Sequence, residues 1–185
     1  ETAPRAARRL GWQAWLTLLW AAGALAMLGA LLAMSLGLRA RIRRYGRAPD
    51  DDGVRRLYEG LSDGLGLRAA PRLRCLPALE SPALTASLRP VLLLPAALAA
   101  EQGEALRFSL LHELWHYKRG DHIVCLVYLL LRAVWWFNPV VWLLMRPLRA
   151  DMEAACDARV ARGMARGDKL RYANLLLTLG EENGI

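Results

Sequence analysis

The chain has 185 residues, of which 55% are hydrophobic and 23% charged, and its formal net charge is +8 at pH 7. Leu and Ala dominate the apolar fraction, and only two Phe are present, a composition that favours helices over a β-sandwich. The arginines flank an apolar run and accompany no nucleic-acid-binding motif, so direct nucleic-acid binding is not expected. The three cysteines are far apart and form no C-x-x-C pair, which argues against a disulfide framework and against a thiolate zinc site.

Residues 10–38 contain no charged side chain. About twenty apolar residues in a helix are enough to cross the hydrocarbon core, so this run predicts a transmembrane helix and makes the lipid bilayer a partner. More arginines follow the run than precede it: Arg5, Arg8 and Arg9 before, and Arg39, Arg41, Arg43, Arg44 and Arg47 after. This excess predicts that the rest of the chain faces the cytoplasm.

Beyond the run, residues 39–53 are predicted to form a juxtamembrane linker, and residues 54–185 a single domain. Short strands are expected at 72–76, 83–88 and 91–94; the last two are separated by Arg89-Pro90 and bounded by Pro82 and Pro95. A helix is then expected to run to Tyr117, with Gly120 ending it and Asp121 capping the next helix.

A second apolar stretch covers residues 122–146 and is interrupted by Arg132 and by Asn138-Pro139. Its pieces are too short for two full spans, so they are expected to be helices that are buried in the domain or dip into the membrane. Residues 147–179 look helical and more polar. The predicted fold class is mainly α with a small β-sheet (α+β).

The segment from His112 to His116 reads H-E-L-W-H, an H-E-x-x-H motif. Residues four apart lie on one face of a helix, so both imidazoles can bind the same ion. Neutral imidazole binds Zn2+ well, and Glu113 between them can act as the base that activates a water. The motif therefore predicts a catalytic zinc site.

A catalytic zinc takes three protein ligands, and two candidates compete for the third position. His122 lies six residues after His116, as in the metzincin pattern, but Arg119 stands where that pattern needs glycine. Glu153 begins an E-x-x-x-D segment that places it and Asp157 on one helical face. Glu153 is the preferred ligand, and Asp157 is then expected to orient a liganding histidine.

Three motifs in order, LLHELWHYKRGD, FNPVVW and EAACD, together with the stretch SPALTASLRPVLLLP, resemble the BlaR/MecR-type membrane metalloproteases of bacterial antibiotic sensing. The resemblance covers nearly the whole chain, to about residue 173. It implies a transmembrane helix with a gluzincin-like domain, zinc on His112, His116 and Glu153, and Glu113 as base. It also implies an inner-membrane protease facing the cytoplasm that cleaves a repressor or itself.

Two other functions share parts of this pattern. Housekeeping membrane proteases of the HtpX or CAAX-processing type also carry H-E-x-x-H and E-x-x-x-D, but they resemble this chain less around the strands and FNPVVW. A non-catalytic signalling subunit with an idle metal site is the other alternative. The presence of Glu113 argues against it, since a structural zinc needs ligands but no base.

Overall fold

The computed structural model describes residues 11–101, 103–163 and 167–171. From residue 11 to residue 163 the named helices and strands follow one another in this order: α1 (Trp12–Tyr45), α2 (Asp52–Gly64), β1 (Arg72–Leu76), β2 (Ala83–Leu84), β3 (Val91–Pro95), α3 (Ala96–Glu101), α4 (Glu104–Arg119), α5 (Asp121–Val134), α6 (Pro139–Leu143) and α7 (Met145–Arg162). The expected fold class, mainly helical with a small sheet, is confirmed. Arg5, Arg8 and Arg9 lie outside the described residues, as does much of the helix predicted at 147–179 beyond α7.

Helix α1 is long and apolar enough to cross a membrane, and its most apolar part is almost entirely exposed. Its 34 residues extend about 51 Å, whereas the hydrocarbon core is about 30 Å thick. The helix continues past Leu38 to Tyr45, so the first part of the predicted linker is helical. The helix ends at Gly46, where a side chain would collide with the carbonyl of Ile42, so glycine fits this position.

The three strands form one sheet in the order β1-β3-β2, with β1 parallel and β2 antiparallel to β3. The strand predicted at 83–88 was too long, since pairing stops at Leu84. The hydroxyl of Thr85 accepts a hydrogen bond from the main-chain N–H of Val91 at 2.8 Å, which ends the regular ladder. The second strand is therefore a short edge strand, and it contacts α4.

Helix α4 is the centre of the domain. Its leucine stripe is buried against α2 and β3 in one cluster: Val54, Tyr58, Leu92, Leu94, Leu106, Leu110 and Leu114. On another side, Phe108 packs against Cys156 and Val160 of α7. Two packed faces fix the rotation of α4, so the side chains between those faces have defined directions.

The apolar stretch after α4 is not buried in the domain. Helix α6 begins at the predicted Asn138-Pro139 break, where the Asn138 side chain accepts a hydrogen bond from Val140 N–H at 3.0 Å. Many large apolar side chains of this stretch remain exposed: Ile123, Val124, Val127, Leu130, Leu131, Val134, Trp135, Phe137, Val140, Trp142, Leu143 and Leu144. The interruption at Arg132 is accommodated by placing its guanidinium over the Trp142 ring.

Helices α1 and α5 lie side by side. The indole N–H of Trp20 donates to the carbonyl of Val134 at 3.0 Å, and that of Trp136 donates to the carbonyl of Trp20 at 3.3 Å. The Trp136 ring lies so close to Gly23 that any side chain there would overlap it. These contacts join the exposed surface of α5 to the membrane-spanning candidate α1.

Candidate metal centre

The two histidines of the H-E-x-x-H motif lie on α4 with their Nε2 atoms 3.0 Å apart. His112 is half-buried and His116 is buried. Helix α7 brings Glu153 to them, and its Oε2 lies 3.2 Å from His112 Nε2 and 3.4 Å from His116 Nε2. Three donor atoms from two helices thus converge on one point.

These separations can be compared with what a zinc ion needs. Tetrahedral zinc with ligands about 2.0–2.1 Å away has neighbouring donor atoms about 3.3 Å apart. The three observed separations, 3.0, 3.2 and 3.4 Å, lie close to that value. Two imidazoles and one carboxylate are also the donor set of a catalytic zinc. The residues present therefore fit the ion.

A carboxylate contacts the Nδ1 atom of each imidazole, on the side of the ring away from the converging donor atoms. Asp157 Oδ1 lies 3.2 Å from His112 Nδ1, and Asp121 Oδ2 lies 2.6 Å from His116 Nδ1. A hydrogen bond at Nδ1 fixes the ring and leaves Nε2 free to bind a metal. The sequence predicted this arrangement for Asp157 but not for Asp121.

The expectation that Asp121 caps a helix was wrong. The capping residue of α5 is Gly120, in the left-handed conformation with φ +80°, and Asp121 is the first helical residue. Its carboxylate is buried and turned back to His116, with Arg119 Nη2 3.6 Å from its other oxygen. Arg119 also donates to the carbonyl of Met152 at 3.0 Å, so one guanidinium joins the Asp121 turn to α7.

Cys156 lies beside the two histidines, a position that the cysteine spacing did not predict. Its Sγ lies within 4.8 Å of the ligand atoms of His112 and His116, in a group that could hold a metal ion. The thiol donates to the main-chain carbonyl of His112 at 3.3 Å, whereas the carboxylate oxygen of Glu153 is directed at both Nε2 atoms. Glu153 is therefore better placed than Cys156 to be the third ligand.

His122 is not a member of that group. Its ring stacks on Tyr117 with the centroids 5.3 Å apart, and its buried Nδ1 has no hydrogen-bond partner among the described residues. Burial lowers its pKa. His122 lines the same cleft as Glu113 but points to a different neighbour, which does not favour the metzincin-like ligand set.

The carboxylates around the two imidazoles favour positive charge on the rings when no metal is bound. Burial alone would lower the pKa of His116, but its hydrogen bonds with Cys156, Glu153 and Asp121 raise it to about 10. Burial likewise opposes protonation of His112, yet its hydrogen bonds with Asp157, Cys156 and Glu153 raise its pKa overall. Conversely, the two imidazoles hold the pKa of Glu153 far below its ordinary value. Such a cluster holds positive charge at the point where the donor atoms converge.

Glu113 lies in the cleft beside the centre. The cleft has a volume of about 220 Å³ and is lined by Glu113, His116, Glu153 and His122 on the helical side and by Pro82, Ala83, Leu84 and Ala86 on the sheet side. Burial raises the pKa of Glu113, against the opposing effect of the two imidazoles. A carboxylate with a raised pKa is suited to accept a proton near neutral pH.

Comparison with known proteins gives one consistent result. The chain is 28% identical to the regulatory protein BlaR1 of Bacillus licheniformis over 158 residues, which is 85% of this chain and 26% of that protein. It is 25% identical to the methicillin resistance mecR1 proteins of Staphylococcus aureus (strain Mu50) and Staphylococcus epidermidis, over 54% of this chain and 17% of theirs.

The chain therefore spans about a quarter or less of the length of these relatives. The family described as BlaR1 peptidase M56 matches residues 2–185, which confirms the resemblance stated from the three motifs and implies a membrane-associated peptidase with a metal ion. Because this match covers almost every residue, the chain belongs to the BlaR1 peptidase M56 family.

Proposed function

We propose that this chain is a membrane-anchored zinc endopeptidase, with His112, His116 and Glu153 as zinc ligands and Glu113 as the catalytic base. The observation that carries the proposal is the convergence of three donor atoms from α4 and α7 within 3.0–3.4 Å of one another. Membership in a peptidase family supports the same reaction class.

Zinc bound there would act as a Lewis acid on the scissile carbonyl and on the attacking water. The protein's own residues supply the rest. Glu113, beside the ligands and lining the cleft, takes the proton from the water and passes it to the departing amine. Asp157 and Asp121 hold the two imidazoles in the orientation that leaves both Nε2 atoms facing the Glu153 carboxylate.

The edge strand β2 supports a peptide substrate. Within the described residues it pairs with β3 alone, and Ala83 and Leu84 line the cleft that also contains Glu113. An extended peptide can add to such an edge by main-chain hydrogen bonds, which places its backbone across the catalytic residues. We infer that the substrate is a protein segment bound in extended form, and a transcriptional repressor or the chain itself are the candidates.

The membrane arrangement follows from the apolar surfaces. Helix α1 would cross the inner membrane of a bacterium, and the exposed apolar side chains of α5 and α6 would lie in the lipid beside it. The arginines from Arg39 to Arg47 at the end of α1 favour a cytoplasmic position for the rest of the chain. The cleft would then open close to the cytoplasmic membrane surface.

Replacing Glu113 with Gln tests the enzymatic function. The amide keeps the size of the side chain but cannot accept the proton, so proteolysis should fall by about 10²–10⁴-fold while zinc stays bound. Self-cleavage and cleavage of a co-expressed repressor can be measured on gels, with zinc content measured on the same samples. The matched control is Glu104→Gln, an exposed residue at the start of the same helix.

Cleavage that persists undiminished in Glu113→Gln would remove the enzyme assignment and favour the non-catalytic signalling subunit. If Glu104→Gln loses activity as strongly, the loss reflects damage to α4 instead of the missing base.

A further inference from the structure

Four arginines surround one cavity at the end of α1. The cavity has a volume of about 440 Å³ and is lined by Arg39 and Arg43 of α1 and by Arg72 and Arg74 of β1. Among the residues that the structure describes, none of the four forms an ion pair, and no acidic side chain lines the cavity. Four like charges around one space repel one another unless an anion occupies it.

The chain builds this cavity by two regular spacings. Arg39 and Arg43 are four residues apart on a helix and share a face, while Arg72 and Arg74 are two apart on a strand and share a face. The two faces are brought together beyond Gly46, where Arg47 pairs with Cys75 of β1 through main-chain hydrogen bonds of 3.1 and 2.8 Å.

An apolar groove adjoins the cationic cavity. It has a volume of about 300 Å³, and it shares Arg39, Ile42 and Val91 with the cavity. Its apolar lining comes from Leu38 of α1, Leu88 of the loop after β2 and Leu126 of α5. Polar side chains border the rest of the groove: Ser35, Thr85, Ser87 and Arg89. A space that is cationic at one end and apolar at the other fits a molecule with an anionic head and a hydrocarbon chain.

The position of the cavity along α1 indicates that membrane lipids can reach it. Arg39 is the first charged residue after the apolar run, so it lies at the depth of the lipid headgroups when α1 spans the bilayer. Leu38 ends the uncharged run, on the acyl-chain side of Arg39. The cationic cavity therefore lies at the level of the lipid headgroups, and the apolar part of the groove lies towards the acyl chains.

We propose that the cavity formed by Arg39, Arg43, Arg72 and Arg74, with the adjoining groove, is a binding site for an anionic phospholipid. The guanidinium groups bind the phosphodiester of the headgroup, because their paired N–H donors match two phosphate oxygens. One acyl chain lies between α1 and α5. The site joins the membrane helix to the sheet that borders the catalytic cleft.

Lipid titration of the purified full-length chain in an uncharged detergent tests the site. Short-chain phosphatidylglycerol should bind in a one-to-one complex, and phosphatidylcholine of the same chain length should bind at least tenfold more weakly. Arg72→Gln with Arg74→Gln should weaken phosphatidylglycerol binding by about 25-fold, at about fivefold for each charge lost. The matched control, Arg107→Gln with Arg162→Gln, removes two exposed arginines that do not line the cavity and should change binding little.

Isothermal titration calorimetry gives the affinities, and zinc content with the unfolding temperature shows that each variant is folded. If the β1 double variant does not fold, Arg39→Gln with Arg43→Gln tests the same cavity from the helix side.

Equal binding of phosphatidylglycerol and phosphatidylcholine, or an equal loss of binding in the control variant, would overturn the proposal. Glycerophosphoglycerol, which has no acyl chains, should bind much more weakly than the lipid; equal binding would reduce the site to a phosphate site. A hexaglutamate peptide that binds more tightly than the lipid would instead assign the cavity to an acidic protein segment.

Discussion

Replacing Asp121 with Asn tests how the metal centre is held. Asp121 accepts a hydrogen bond from His116 Nδ1 at 2.6 Å, and its side chain is 7% exposed. The amide of Asn can still accept that hydrogen bond, but it lacks the charge that strengthens the bond and raises the electron density of the imidazole. We therefore expect the variant to fold and to bind zinc more weakly.

The size of the effect can be estimated by comparison with Asp157. Loss of an outer carboxylate costs about 10–100-fold in metal affinity. Asp157 makes a longer contact with His112, 3.2 Å, and its side chain is 37% exposed, so water can replace part of its effect. We expect Asp121→Asn to lose zinc-binding free energy near the upper end of that range, about 2.8 kcal/mol. Asp157→Asn should lose about 1.4 kcal/mol, near the lower end.

Competition with a chromogenic chelator in detergent solution measures both zinc dissociation constants at one pH. The test is which variant binds zinc more weakly, because the expected order of affinities depends on the difference in burial and distance between the two carboxylates. If Asp157→Asn weakens zinc as much as Asp121→Asn does, or if Asp121→Asn leaves the affinity unchanged, the role given to Asp121 is wrong.

Two further predictions concern the ligands and the pH. Glu153→Ala should lower zinc affinity by more than either outer-carboxylate variant, whereas His122→Ala should leave the zinc content intact; metal analysis showing the reverse would favour the metzincin-like ligand set. In the metal-free chain, the raised pKa of His116 stabilises the fold below its ordinary value of 6.5 and loses that effect as the pH rises through about 10. The lowered pKa of Glu153 stabilises the fold above its ordinary value of 4.5 and loses that effect on acidification. The unfolding temperature without metal should therefore be highest between about pH 4.5 and 6.5, and a steady rise from pH 6.5 to 9 would contradict this assignment. Zinc affinity should show the opposite trend and rise with pH, since zinc displaces protons from the imidazoles.

Much of the architecture was readable from local patterns. The leucines at 106, 110 and 114 are all buried, as their spacing predicts for a helix with one apolar face. Gly120 ends α4 in a left-handed conformation that other residues adopt at a cost. The Asn138-Pro139 pair begins a new helix with Asn as its cap. Each of these features depends on residues close together in sequence.

The features that the sequence did not predict depend on contacts that local patterns do not encode. Asp121 stands where a capping residue is common, and the sequence gives no sign that its carboxylate turns back to His116. Cys156 was set aside because the cysteines form no C-x-x-C pair. The helical spacing of Glu153, Cys156 and Asp157 could have shown that all three share a face. The end of β2 at Leu84 depends on where the Thr85 hydroxyl points, and strand propensity does not encode that direction.

The two halves of the metal centre are connected to the chain in different ways. His116 and Asp121 are five residues apart across the Gly120 turn, so this half can assemble as soon as α4 forms. Glu153 is 41 residues from His112 and reaches it only when α7 packs on Phe108 through Cys156 and Val160. Detachment of α7 would thus remove Glu153, the proposed acidic ligand, while leaving the histidine pair in place. Release of the ion and undocking of α7 should accordingly be one cooperative event.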